Sequence, residues 1–356
     1  DIFHPQSERP YTVDGSVNLA HMLVGSEGTL AYFKKLKLQL ARLPAFKTLG
    51  VVNFDSFHHA MDSAQHIVTL GPTAVELVDR TMIDLARQNP AFKPIIETAL
   101  SRPEAPTPQA ILLVEFAGDQ LAPLQQKVID LTELMAEQGL PESVVPIFDA
   151  GAQKGLWDVR KAGLNIMMSL RGDGKPVSFI EDCAVPLEHL AEYTDALTEV
   201  FERNGTRGTW YAHASVGTLH VRPILDMRRQ GVDGGAVKMR AIAEQASELV
   251  RKFKGAYSGE HGDGLVRSEW VSWQFGPRLT HAFEEIKDAF DPHGLMNPGK
   301  IVRPPRMDDR NLFRFGPGYQ PISLDTSLDW SAWNVQNDAR TELTSAPGTG
   351  GDPTGG

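Results

Sequence analysis

Two stretches of the chain concentrate groups able to do metal or acid–base chemistry. "AHASVGTLH" (212–220) carries His213 and His220, and "YSGEHGDGLVRS" (257–268) carries Glu260 and His261 among three glycines. On one continuous strand the two histidines would face opposite sides about 23 Å apart. On a helix they would stand about 10 Å apart. A hairpin turning on "ASVG", with Gly217 in the turn, instead makes them cross-strand neighbours. Two imidazoles plus a carboxylate form an N/N/O set with open positions, the pattern of a catalytic divalent metal. Glu260 is a candidate third ligand, which places His261 beside the metal. The plainer alternative is two half-buried strand histidines and a turn carboxylate. Glycines around Glu260 give up helix and strand propensity, which is expected where backbone shape or access matters.

Composition bounds what such a site serves. At 356 residues, with 41% hydrophobic and 22% charged residues, the chain can hold one large domain or two modest ones. A net charge of −10 argues against nucleic acid as the main partner. A small anionic substrate remains compatible, because a local arginine cluster outweighs the global sign. Cys183 is the only cysteine, which excludes an internal disulfide framework and a thiolate-only metal site. That suits a reducing compartment, the cytoplasm, with peripheral association at the inner membrane as a variant. "AILLVEF" (110–116) is among the longest apolar runs and reads as a buried strand, so no transmembrane segment is expected. The chain begins at Asp1 without a methionine, as a fragment or processed product does.

The elements that position these residues follow a β–α–β rhythm. The Leu36/Leu38/Leu40 alternation predicts a strand ending near Pro44. "TLGVVNF" reads as a strand, "SFHHAMDSAQHIVTL" as a helix and "PTAVELVD" as a strand; "AILLVEFAG", "LAPLQQKVIDLTELMAEQG" and "SVVPIFD" repeat the order. A third round runs through "PVSFIEDCAVP", the helix "LEHLAEYTDALTEVFERNG" and the return "GTWYAHASVGTLHVRP". Further helices are predicted at about 235–254 and 278–290, and the Gly/Pro/Thr-rich tail reads as disordered. The expected fold is α+β: an antiparallel sheet with helices on one face, built from ferredoxin-like β-α-β repeats.

"LVGSEGTL", "WDVRKAG", "AHASVGTLHVRP", "SGEHGDGLVRS" and "FDPHGLMNPGK" occur in an order that resembles FAD-linked 2-hydroxyacid dehydrogenases of the vanillyl-alcohol oxidase superfamily, over residues 20–330. The resemblance extends to D-2-hydroxyglutarate dehydrogenases and, further off, to D-lactate dehydrogenases. It implies the substrate or cap domain of a flavoenzyme, with FAD as cofactor and a small 2-hydroxy acid as substrate. It implies a divalent metal, zinc, on His213, His220 and Glu260, with His261 as general base on the substrate hydroxyl. Side chains of adjacent residues are expected to diverge, so that Glu260 faces the metal and His261 the substrate. Arg160 matches an arginine that holds the substrate carboxylate, and Lys175 is a further basic candidate. Asn297 and the loop Gly25, Ser26, Glu27 and Gly28 match positions at the flavin.

Two departures stand out. Relatives often carry Gly-Asp-Gly-Asn between the histidines where this chain has "SVGT", and Arg222 stands where some have asparagine. A guanidinium there can take the distal carboxylate of a diacid bidentately. The FAD domain of such enzymes is largely N-terminal, so residues 1–44 are expected to be its last segment. Residues 45–310 are then the substrate domain with the metal site, and 311–356 a tail leading towards a cysteine-rich iron–sulfur region in the long bacterial members. The fragment alone is expected to be inactive. An electron acceptor and a second copy of the chain complete the expected partners. A metal-dependent hydrolase or a non-catalytic metal-binding domain uses the same ligands, but leaves "GSEGTL" and "NPGK" without a role.

Overall fold

Leu49, Val51, Val52 and Phe54 are all buried, although successive strand residues point to opposite faces of a sheet. Strand β1 (Phe46–Phe54) therefore needs cover on both sides. The computed structural model describes residues 17–100, 106–168, 170, 174–319 and 327. Two units emerge: the described residues up to Ala41 with Tyr257–Asp309, and Arg42–Ala256 with the described residues from Arg310 on.

Helix α1 (Ala20–Leu23) belongs to the first unit. The second unit is built on a seven-stranded sheet of β1, β2 (Ala74–Asp79), β3 (Ala110–Gly118), β4 (Val144–Ile147), β5 (Lys175–Pro176), β6 (Gly208–His213) and β7 (Thr218–Leu225). The order is β4-β1-β3-β2-β6-β7-β5 and every pairing is antiparallel. Its helices are α2 (Phe57–Ile67), α3 (Arg80–Gln88), α4 (Lys93–Glu97), α5 (Leu121–Glu137), α6 (Ala150–Met168), α7 (Leu190–Arg203) and α8 (Gly235–Lys252). The β4-β1-β3-β2 end, with α2 after β1 and α5 after β3, is the ferredoxin-like repeat expected from the sequence.

Helices α2, α5 and α7 lie on one face. There the Thr48 hydroxyl donates to the Leu124 carbonyl of α5 at 3.1 Å. The Trp210 ring meets Phe57 and Phe201, with centroids 5.3 and 5.9 Å away. The sheet is not left open on its other face, because β1 and β3 bury apolar side chains of both parities. Leu49, Val51, Ile111 and Leu113 form a cluster there with Met82 and Ile83 of α3, Ile96 of α4, and Leu156 and Val159 of α6. Burying Leu156 and Val159 is worth roughly 1.5–3 kcal/mol each, enough to seat the helix that carries Arg160.

Three local expectations are corrected. Residues 31–44 form no strand: Leu36, Leu38 and Leu40 are 65, 74 and 86% exposed, so the alternation has no cover to bury against. In 176–186 only Pro176 joins a strand, and Ala184 makes isolated bridges to Thr218 and Ala256. Phe179, Ile180 and Cys183 are all fully buried, a turn packed on every side rather than an alternating strand. The helix predicted at about 278–290 is observed, running to Phe290 beyond the kink at Gly276, whereas "WDVRKAG", for which no helix is predicted, lies inside the 19-residue α6.

The first unit adds α9 (Gly264–Arg267) and α10 (Val271–Phe290), the latter kinked at Gly276 ahead of Pro277. Buried Lys287 ties its segments together. The ammonium donates to Thr29 O (2.7 Å), Asp291 Oδ2 (2.6 Å) and Met296 O (2.6 Å). Asp291 also accepts from the Leu295 and Met296 amides. The Lys287 hydrogen bond, followed by that from Met296, holds the Asp291 carboxyl down at about 2.

Candidate functional site

The histidines do lie on a hairpin. A 3₁₀ turn over Ala214–Val216 ends on Gly217 at φ 69°. A Cβ at Gly217 would stand 2.0 Å from the Val185 carbonyl oxygen, so no other residue fits this turn. Tyr211 then faces His220 and His213 faces Thr218, which puts the two imidazoles on one face as diagonal neighbours. Their ring centroids are 4.8 Å apart and their planes nearly perpendicular.

Period-two alternation gathers further groups on that face. β2 sets Glu76 opposite His213, while Tyr211 precedes on β6 and Arg222 follows on β7. Glu76 Oε1 accepts from His213 Nδ1 at 2.6 Å and its Oε2 from Arg160 Nη2 at 2.7 Å. The Arg160 guanidinium lies 4.6 Å from the Tyr211 ring centroid and that of Arg222 5.3 Å, so the ring stacks with both cations. Arg222 donates through Nε to Glu181 Oε2, and Nη2 of the same guanidinium pairs with that oxygen. His220 Nδ1 donates to the Glu181 carbonyl at 3.0 Å.

Glu76, Glu181, His220 and Arg222 are buried. Desolvating such charges is tolerable because two carboxylates and two guanidiniums balance. Two donors are left over: Arg160 Nε and Arg222 Nη1 are buried and have no hydrogen-bond partner among the described residues. Burial, ahead of the neighbouring charges, pushes the Tyr211 phenol up from its usual value.

The imidazole geometry suits a divalent metal. A carbonyl only accepts, so His220 Nδ1 carries the proton; an ion-paired carboxylate imposes the same on His213. In the neutral rings Nε2 then holds the lone pair, the arrangement in which an outer carboxylate or carbonyl fixes a ligating tautomer. Lys175 sits on the edge strand β5 opposite Leu225, and its ammonium donates to the Leu170 carbonyl.

The remaining sequence-derived candidates belong to the first unit. Gly25 and Gly28 take φ of 78° and 70°, and the Ser26 hydroxyl donates to the Leu23 carbonyl. The Glu27 carboxylate accepts the amides of Asp263 and Gly264 at 2.6 and 2.8 Å, while Asn297 Nδ2 donates to the Glu27 carbonyl at 2.7 Å. The "GSEGTL", "GEHGDG" and "NPGK" segments thus meet around Glu27. Glu260 and His261 do not diverge as expected: Oε1 of the first lies 3.4 Å from Nε2 of the second. The glycines flanking the pair leave the backbone free to curl so that the two side-chain tips approach.

Glu76, Tyr211 and Glu181 escape a reading of motifs. Glu76 had a legible signal, a lone carboxylate inside the otherwise apolar strand "AVELV", where burial demands a partner. Tyr211 reads only as strand-forming, and Glu181 falls in a segment mistaken for a strand.

Residues 43–301 match the family described as FAD linked oxidases, C-terminal domain. The D-2-hydroxyglutarate dehydrogenase of Escherichia coli is 34% identical over 297 residues, which is 82% of this chain and 29% of that protein. That of Pseudomonas putida is 33% identical over 306 residues, 85% of this chain and again 29% of the relative. The chain therefore spans under a third of the length of these relatives. A mitochondrial D-lactate dehydrogenase [cytochrome] of Arabidopsis thaliana is 26% identical over 81% of this chain and 48% of its own. Among solved structures, p-cresol methylhydroxylase with substrate bound superposes with a TM-score of 0.52 at 13% identity, covering 73% of this chain and 53% of that one. This last likeness concerns fold alone. Sequence and architecture agree that the chain belongs to the FAD-linked oxidases, of which it carries the C-terminal domain.

Proposed function

We propose that the chain is the substrate-handling part of an FAD-linked dehydrogenase that oxidises a D-2-hydroxy acid, of the D-2-hydroxyglutarate type, to the 2-oxo acid. The observation that carries this is the Arg160–Tyr211–Arg222 stack beside His213 and His220, with a spare donor on each guanidinium. Arg160 binds the C1 carboxylate and Arg222 the distal carboxylate of a diacid. His213 and His220 offer Nε2 to a divalent metal, zinc, and Glu260 is assigned as its carboxylate donor on resemblance alone. His261 takes the C2 hydroxyl proton as the C2–H bond breaks, with the hydrogen and its electron pair leaving C2. Bound FAD would supply the two-electron acceptor, and a bound metal would lower the hydroxyl pKa. Gly25, Ser26, Glu27, Gly28 and Asn297 shape the flavin-side loops, and Lys175 is a secondary anion contact. An iron–sulfur centre finds no ligand set here, since Cys183 is a lone, buried thiol.

The test is a panel of D-2-hydroxy acids with a dye acceptor, with and without chelator, on the protein bearing its flavin domain. Turnover of D-2-hydroxyglutarate that is lost with chelator, restored by zinc and abolished by His261→Ala is expected. Chelator-insensitive turnover would remove the metal from the proposal, and hydrolysis without dye reduction would remove the redox reaction.

A further inference from the structure

We propose that Glu76 is a positioning residue that couples metal binding to substrate-carboxylate binding. The inference rests on the metal reading above and extends it to a side chain that touches neither ligand.

Glu76 lies mid-strand in β2, 7% exposed, between two donors. One carboxylate oxygen takes His213 Nδ1 and the other takes Arg160 Nη2. Only an acceptor-only group satisfies both, and among the side chains of this size that is an ionised carboxylate. An amide of the same shape cannot. With its oxygen on Arg160, its NH₂ faces His213 Nδ1 and drives the ring to the Nε2–H form, which has no lone pair for a metal. Turned round, the NH₂ confronts a guanidinium N–H and leaves a buried donor unpaired, at a cost of about 1–3 kcal/mol. Glu76 therefore sets the His213 tautomer and the Arg160 pose together. Charge on one partner is felt by the other: a cation at His213 Nε2 draws electron density from Glu76 through the ring, loosening its hold on Arg160 and freeing that guanidinium for a substrate carboxylate. Linkage makes the effect reciprocal, so a bound carboxylate at Arg160 tightens the metal by the same factor.

Three measurements test this. In the wild-type protein without metal, ¹⁵N shifts of His213 at pH 8 are expected to show the Nδ1–H tautomer; an Nε2–H tautomer overturns the proposal whatever the variants do. Zinc titration against a chromophoric chelator is expected to show binding about 10–100-fold weaker in Glu76→Gln than in wild type, with Glu76→Asp in between. Equal affinities in the three proteins overturn it. Added glutarate, a diacid with no hydroxyl to oxidise, is expected to tighten zinc several-fold in wild type and not in Glu76→Gln; equal tightening in both refutes the coupling. His213→Ala and His220→Ala separate the two levels. If neither weakens zinc, the metal reading itself fails. If both do while Glu76→Gln does not, only the role of Glu76 fails.

Discussion

The Glu27 carboxyl carbon lies 2.9 Å from where a Cβ of Gly262 would stand. The carboxylate occupies this space in order to accept the next two amides, and Gly262 turns at φ 77° to present them. The glycine-rich composition of "GEHGDG" thus has a specific cause. An acid 235 positions earlier in the sequence needs the room.

Gly262→Ala is therefore expected to cost more than the roughly 1–2 kcal/mol of a left-handed alanine, because Glu27 must also leave two charge-assisted hydrogen bonds worth about 1.5–3 kcal/mol each. Glu27→Ala loses the same bonds. Urea unfolding of both single variants and the double variant should show strong non-additivity, the double costing little more than the worse single. Additive losses would mean that the two residues act separately.

Much of this was legible and some could not be. The strand "AILLVEFAG" is legible, and observed over Ala110–Gly118, because a short apolar run broken only by Glu115 lies between turn signals. The hairpin followed from chemistry rather than propensity, since no other backbone brings His213 and His220 together. Helix α6 was missed because "KGLWDVRKAGLN" carries glycines and a loose apolar period; its helicity comes from Leu156 and Val159 docking on a sheet face that only the tertiary fold creates. The Leu36/Leu38/Leu40 alternation misleads for the opposite reason, a strand-like pattern without a pairing partner among the described residues. Glu76 and Glu181 depend on strand register, which no local window contains.

Arg222 offers a test of substrate class. If its guanidinium takes the distal carboxylate, Arg222→Ala should lower kcat/KM for D-2-hydroxyglutarate about 10–100-fold, from the loss of roughly 1.5–3 kcal/mol of charged hydrogen bonding, and leave D-lactate within a few-fold. Equal losses on both substrates would reduce Arg222 to a structural role. The same change strands the Glu181 carboxylate in a buried setting, at a cost of up to about 3–5 kcal/mol. Adding Glu181→Gln should restore stability but not selectivity, which separates the two effects.

Tyr211 acts through its ring. Each guanidinium over it gains about 0.5–2 kcal/mol, and burial keeps the phenol protonated well beyond neutral pH. Tyr211→Phe should therefore change kcat and KM less than about two-fold, while Tyr211→Leu, having no π face, should raise KM about ten-fold or more and also lower stability by roughly 1–4 kcal/mol, the two cation–π contacts together. A large loss in Tyr211→Phe, or a limb of the pH–rate profile that it removes, would show that the hydroxyl takes part.

Asp79 and Asp291 predict opposite responses to pH. Asp79 caps α3 through Met82 N at 2.8 Å and accepts Trp210 N at 3.0 Å, yet burial outweighs both bonds and lifts its carboxyl to about 6. The folded state then holds a proton that the unfolded chain, near 3.8, releases. Its contribution is full below about pH 4 and is lost as pH rises through about 6, on the order of 2–3 kcal/mol at 1.36 kcal/mol per unit. Asp291 runs the other way: its carboxyl, held at about 2 by Lys287, contributes above about pH 4 and loses that contribution as pH falls through about 2. Urea unfolding at pH 4.5 and 7 should show wild type losing stability with rising pH and Asp79→Asn losing much less. Asp291→Asn should leave that interval unchanged and flatten the decline below pH 4. A wild-type slope between pH 4.5 and 7 that Asp79→Asn preserves would place the titrating group elsewhere.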